Sequence, residues 1–157
     1  MSALVGLVLA STLAGCGGPG LSTRPYVLTA AGRAHCAAVM AALPRTVAGR
    51  ARRTDTRTDT GSAYVAAWGD PAIVLRCGVG RPAGFTRFSS CQVADGVGWF
   101  VPDSIIADQQ ADVLMTTVGR SPAIDVLVPA RYRPSLAPMV DLAPAVKAAT
   151  TETSRCQ

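Results

Sequence analysis

The sequence predicts an α+β fold: a mostly antiparallel sheet of about five or six strands with two helices packed on one face. Three observations predict it. The chain has 157 residues, enough for one domain with a two-layer core and too few for a barrel of eight βα units. Apolar residues recur at helical spacing near both ends of the folded part. Between them lie short runs of alternating apolar residues, separated by hairpin turn signals.

The elements follow in order. Residues 2–15 carry no charge, and Ala3 to Leu13 form an apolar run of 11 residues. A membrane-spanning helix needs about 20, so this run has the length of a signal-peptide core. It leads into Leu13-Ala14-Gly15-Cys16, the lipobox pattern of Leu, two small residues and Cys. The Cys16 thiolate takes a diacylglyceryl group as a thioether, and a peptidase with a narrow pocket cuts before it. The competing reading is an ordinary secretory signal with an incidental thiol. Met1 and Ser2 supply no basic residue, only the α-amine. A translation start further upstream would supply one and leave the mature protein unchanged. Residues 16–27 read as the lipidated Cys and a flexible tether, and 28–157 as a single domain. The expected location is the outer face of the cell membrane, with stable anchoring from two or three acyl chains.

Leu28 to Leu43 reads as the first helix, with Thr29 as N-cap and Pro44 as its stop. Arg45 to Gly61 reads as an exposed polar loop, nearly low-complexity over Thr54 to Thr60. Tyr64 to Trp68 and Ile73 to Val79 form a hairpin across Gly69-Asp70-Pro71, a turn in which Trp68 packs and Asp70 holds amides; the competing reading gives these two residues a binding role. Gly80 to Ser89 is irregular. Cys91 to Val101 is a hairpin around Asp95-Gly96, a pair that accepts the positive φ of a two-residue turn. Trp99 alternates with Val97 and Val101 and so faces the core. Val113 to Val118 and Ile124 to Val128 make the last hairpin, closed by Pro129. Asp141 caps a final helix through about Thr150, with Pro144 in its first turn and Leu142, Val146 and Ala149 inward.

Five cysteines are present, and lipidation of Cys16 leaves four. An even number in an exported chain predicts two disulfides, with three connectivities open. Helical spacing puts Cys36 with Val39, Met40 and Leu43. Strand alternation puts Cys77 with Ile73 and Leu75. Both thiols then point between helix and sheet, which pairs Cys36 with Cys77 and, by elimination, Cys91 with Cys156. The main competitor is a local Cys77–Cys91 bridge. Metal is not expected: there is no C-x-x-C, and the one histidine, His35, abuts Cys36.

Signals for catalysis are weak, and no cofactor is implied. Gly119-Arg120-Ser121-Pro122-Ala123 lacks the second glycine of a nucleophile elbow. Gly78 to Gly84 has the wrong spacing for a phosphate loop, and Pro82 removes a donor. His35 reads as a surface residue near a helix start, and Asp103, Asp108 and Asp112 as solvated carboxylates. The strongest charge feature is Arg45, Arg50, Arg52, Arg53 and Arg57, in a chain with 14 Arg and one Lys. Its functional reading is contact with anionic headgroups or an anionic wall polymer. The competing reading, which the neutralising Asp55 and Asp59 favour, is a solvated loop. Nucleic acid is not expected, because no aromatic residue lies between Pro44 and Gly61. The net charge of +5 is too small to imply it.

Cys36 with Leu43-Pro44, Trp68-Gly69-Asp70-Pro71 and Leu75-Arg76-Cys77-Gly78-Val79 are familiar together. With Pro82, Trp99, Thr116-Thr117, Gly119-Arg120, Val126 to Pro129 and Tyr132, they resemble the actinobacterial domain-of-unknown-function family 3515. The resemblance covers about Cys36 to Ala148. It implies small secreted or membrane-anchored proteins, many with a lipobox, and no activity. Cys91 and Cys156 stand outside that pattern, which agrees with their pairing together.

The expectation is therefore a lipid-anchored envelope protein acting as a non-enzymatic binding or accessory module toward an envelope protein, lipid or wall polymer. The alternative is an envelope enzyme whose site escapes motif reading. A deep pocket of converging polar groups would favour the enzyme. A shallow apolar or arginine surface would favour the binder.

Overall fold

The computed structural model describes residues 26–54, 64–82 and 84–156. Cys16 and Arg57 lie outside the described residues. Helix α1 spans Ala30–Ala42, and the Thr29 side chain caps it by accepting from the Gly32 N–H at 3.1 Å. Cys36 and Val39 form its buried stripe, with Leu43 just beyond. Pro44 then holds Leu43 extended, as a residue before proline must be.

The stretch expected to be an irregular loop contains a tight hairpin. Strands β1 (Thr46–Val47) and β2 (Arg50–Ala51) pair across Ala48-Gly49. Both turn residues have positive φ, 47° and 70°, the geometry a two-residue hairpin needs. The sequence hid it because Val47 is its one fully buried apolar residue.

The main sheet holds β3 (Val65–Trp68), β4 (Ile73–Val79), β5 (Gln92–Ala94), β6 (Val97–Phe100), β7 (Val113–Val118) and β9 (Ala123–Val128). Between β7 and β9 sits the short β8 (Arg120–Ser121). The order is β3-β4-β9-β7-β6-β5, antiparallel throughout. Asp95 and Gly96 turn β5 into β6 with φ of 44° and 76°. The short helix α2 (Asp103–Ala107), which the sequence reading lacked, joins β6 to β7.

Helix α3 runs Leu136–Ala149 and packs beside α1 on one face of the sheet. It begins five residues before the expected cap. Asp141 is therefore inside the helix, and its carboxylate accepts the Ala48 N–H at 2.7 Å, tying α3 to the β1–β2 turn. Pro144 lies in the helix interior, not the first turn. It leaves the Val140 carbonyl without its helical donor. Proline content had pushed the expected start too late, yet Met139, Leu142, Val146 and Ala149 form the inward stripe.

The alternation of β4, β9, β7 and β6 places Leu75, Val126, Met115 and Trp99 on the helix-facing side, all fully buried. Cys36 bonds to Cys77 across this layer, with Cα atoms 5.5 Å apart. On the other side, Phe85 of the irregular segment packs edge-on against Phe100 at 5.2 Å. The C-terminal tail crosses there too. Strand β10 (Thr151–Glu152) pairs with β8, and Cys156 bonds to Cys91 with Cα atoms 6.0 Å apart. Gly98 makes room for that bridge, since a side chain there would sit 2.8 Å from Cys156 Cβ.

Candidate functional site

The arginine segment is built into a defined surface. Its base is fixed first: Trp68 is fully buried and its indole N–H donates to the Pro44 carbonyl at 3.1 Å. Arg52 bridges to Trp68, and the Arg53 N–H donates to the Ala67 carbonyl at 2.8 Å. The β1–β2 hairpin is thereby clamped along the end of β3.

Two of its arginines are then aimed. Arg52 donates from both terminal nitrogens to the Met40 carbonyl at 3.4 Å, near the negative end of α1. Arg50 crosses the Trp68-Gly69-Asp70-Pro71 turn. Gly69 has φ of 74°, and any side chain there would meet the Arg50 stem at 3.0 Å. The guanidinium carbon of Arg50 reaches within 5.5 Å of the Tyr132 ring centroid, and that of Arg131 lies 5.7 Å from the same centroid. The Tyr132 hydroxyl donates to the Asp70 carbonyl at 2.9 Å, which locks the ring. Asp70 thus works through its main chain rather than as a carboxylate holding turn amides.

Arg45, Arg50, Arg52 and Arg131 are all exposed, and none pairs with a carboxylate among the described residues. Like charges on one surface repel one another, and a bound anion relieves that; the Asp141 carboxylate at the same hairpin is engaged by the Ala48 N–H. Guanidinium forks match carboxylate and phosphate oxygens two at a time. Arg53 is half-buried. Tyr132 stands in the residue pattern of the resemblance, but about eighty residues separate it and Arg131 from Arg50, so their meeting was not legible in sequence. The Arg131-Tyr132-Arg133 run just after β9 was the further signal.

The other candidates are accounted for locally. His35 donates from Nδ1 to the Ala149 carbonyl at 2.9 Å and links α1 to α3. Asp103 accepts from Ser90, Asp108 from the Gln110 N–H and Asp112 from the Ala130 N–H, so the three carboxylates serve three separate turns. Among the described residues no cluster of three possible metal ligands occurs. A hollow of about 220 Å³ lies beside Asp103, lined also by Ser89, Ser90 and Phe100. A cleft of about 450 Å³ lies at the opposite end of the sheet from the arginines, beside Tyr26, Val79, Arg81 and Arg120. Its Arg120 is already engaged with Glu152 and the Gly96 carbonyl, and its Thr117 hydroxyl accepts the Ile124 N–H.

One buried charge pair was not foreseen. Arg76 and Asp125 face each other on β4 and β9 at 3.0 Å, with side chains 8% and 6% exposed. Thr116 donates to the other carboxylate oxygen at 2.7 Å. Burial raises the Asp125 carboxyl above its ordinary value, against the pull of Thr116 and Arg76. The strand alternation had put Arg76 opposite the core side, without indicating that this second face is covered.

No curated protein and no solved structure shows significant similarity to the chain. A family model described as "Protein of unknown function (DUF3515)" matches residues 3–154, and the chain belongs to that family.

Proposed function

We propose that this chain is a cell-envelope lipoprotein, held on the outer face of the membrane by lipid on Cys16, whose domain is a non-enzymatic binding or accessory module. The observation that carries the reading is the pairing of the other four cysteines, Cys36 with Cys77 and Cys91 with Cys156. Structural disulfides persist in oxidising compartments. They leave Cys16 as the remaining cysteine, and it stands in Leu13-Ala14-Gly15-Cys16 after an apolar run too short to span a membrane. Two or three acyl chains then give stable anchoring. The exposed arginine surface supports a binding role and offers its guanidinium groups to an anionic partner.

Fractionation tests the reading. The wild-type chain is expected in the membrane fraction, and protease added outside the cell should digest it. Cys16→Ser should leave the leader uncut. Normal processing and unchanged membrane partition of Cys16→Ser would refute it.

A further inference from the structure

We infer that the surface around Tyr132 is a binding site for a linear anionic polymer of the cell wall, and that it stands at the end of the domain away from the membrane. The orientation rests on lipid anchoring at Cys16; the binding chemistry does not.

Two rulers give the orientation. Tyr26, the first described residue, lines the cleft beside Val79 at the C-terminal end of β4. Leu28, just before α1, packs against Gly78 at that same end. From there α1 runs 13 residues to Leu43 and Pro44, next to Trp68. Strand β4 runs the other way over seven residues, from Ile73 to Val79. Each element is about 20 Å long. The chain therefore enters the domain at one end of the sheet and displays Arg45, Arg50, Arg52 and Arg131 at the other. A surface built to grip lipid headgroups would be expected beside the entry point. This one lies at the far end of the sheet from it.

The chemistry names the partner. Arg50 and Arg131 share one ring, so the side chains are ordered before a ligand arrives and lose less entropy on binding. Arg52 and Arg45 extend the positive charge along the hairpin base, where the Arg52 N–H donates to the Arg45 carbonyl. A single small anion would satisfy part of this set. A chain carrying phosphate or carboxylate groups at regular intervals can engage several guanidinium groups at once, and its effective concentration rises with each contact.

The test uses the full chain in neutral-detergent micelles, so its outcome does not depend on whether Cys16 is acylated; acylation is read separately by mass. The probe is fluorescent poly(glycerol phosphate), with neutral dextran as control. Wild type should bind the polymer and not dextran, less tightly as salt rises. Arg50→Ala with Arg131→Ala should weaken binding about tenfold, as two exposed charge contacts would supply. Tyr132→Leu keeps every charge and should weaken it by a smaller factor. Arg50 and Arg131 are exposed and Tyr132 is half-buried against the core, so a cooperative unfolding transition and a native far-UV spectrum verify the fold of each variant. Equal binding by the double variant would overturn the site. Displacement of the polymer by phosphatidylglycerol added to the micelles would overturn the assignment to a polymer and favour headgroups. Equally tight binding of polyglutamate would reassign the surface to an acidic protein.

Discussion

Arg76, Asp125 and Thr116 occupy the sheet face away from the helices, and their chemistry sets how the fold responds to pH. Burial holds the Asp125 carboxyl above its ordinary value of 3.8. The folded chain therefore keeps this proton at a pH where the unfolded chain has released it. By linkage the residue favours folding as pH falls through its folded value, and that contribution is lost as pH rises. Replacing Arg76 with Met removes the partner charge and raises the carboxyl further. Arg76→Met should cost about 3–5 kcal/mol near pH 7, as breaking a buried pair does. The penalty should shrink as pH falls and Asp125 takes up a proton. Urea unfolding across a pH series checks this, and a penalty independent of pH would contradict it. Gly69 is the second informative position. Gly69→Ala meets a left-handed backbone and the Arg50 stem together, whereas Gly49→Ala meets a similar backbone and open space. Both should lose about 1–2 kcal/mol for the backbone. Gly69→Ala should lose more and also displace Arg50, which the polymer titration reads directly.

At the scale of elements, the two disulfides do different work. The Cys36–Cys77 bridge joins α1 to the central sheet across a separation of 41 residues. Cys36→Ala should lower global stability by about 4 kcal/mol, the loop-entropy value. Cys156→Ser releases a tail held otherwise by the two-residue β8–β10 ladder, by the Arg120–Glu152 ion pair and by Thr153 on the Gly119 carbonyl. Amide exchange should then rise over Thr151 to Arg155 while β4, β7 and β9 stay protected; uniform loss of protection would contradict that local role. These elements also show what the sequence could and could not reveal. The stripe Cys36, Val39, Leu43 and the alternations Ile73-Leu75-Cys77 and Val97-Trp99-Val101 carried a strong period, so α1, the main strands and the Cys36–Cys77 pairing were legible, and Cys91–Cys156 followed by elimination. Strand β10 was not, because its pairing with β8 depends on a contact about thirty residues away and neither strand has an apolar face of its own. The start of α3 was obscured by Pro138 and Pro144, whose cost is overridden by the buried stripe through Met139 and Leu142.

For the whole molecule, the candidate surface was half legible. Arg45, Arg50 and Arg52 stood out as a charge run, and exposure follows from composition. Tertiary structure was needed to bring Tyr132 and Arg131 to Arg50, and to show that Gly69 clears the path between them. The same long-range geometry separates the arginine surface from Tyr26 by the length of the sheet. Under the proposed function the molecule is polar, with binding at one end and, at the other, a lipid anchor on Cys16. Mass spectrometry of the mature protein extracted from membranes, digested without reduction, tests it most directly. The N-terminal peptide should begin at Cys16 and carry a diacylglyceryl thioether, with Cys36–Cys77 and Cys91–Cys156 peptides recovered intact. An N-terminus at another residue, or a free alkylatable Cys16 thiol, would contradict it.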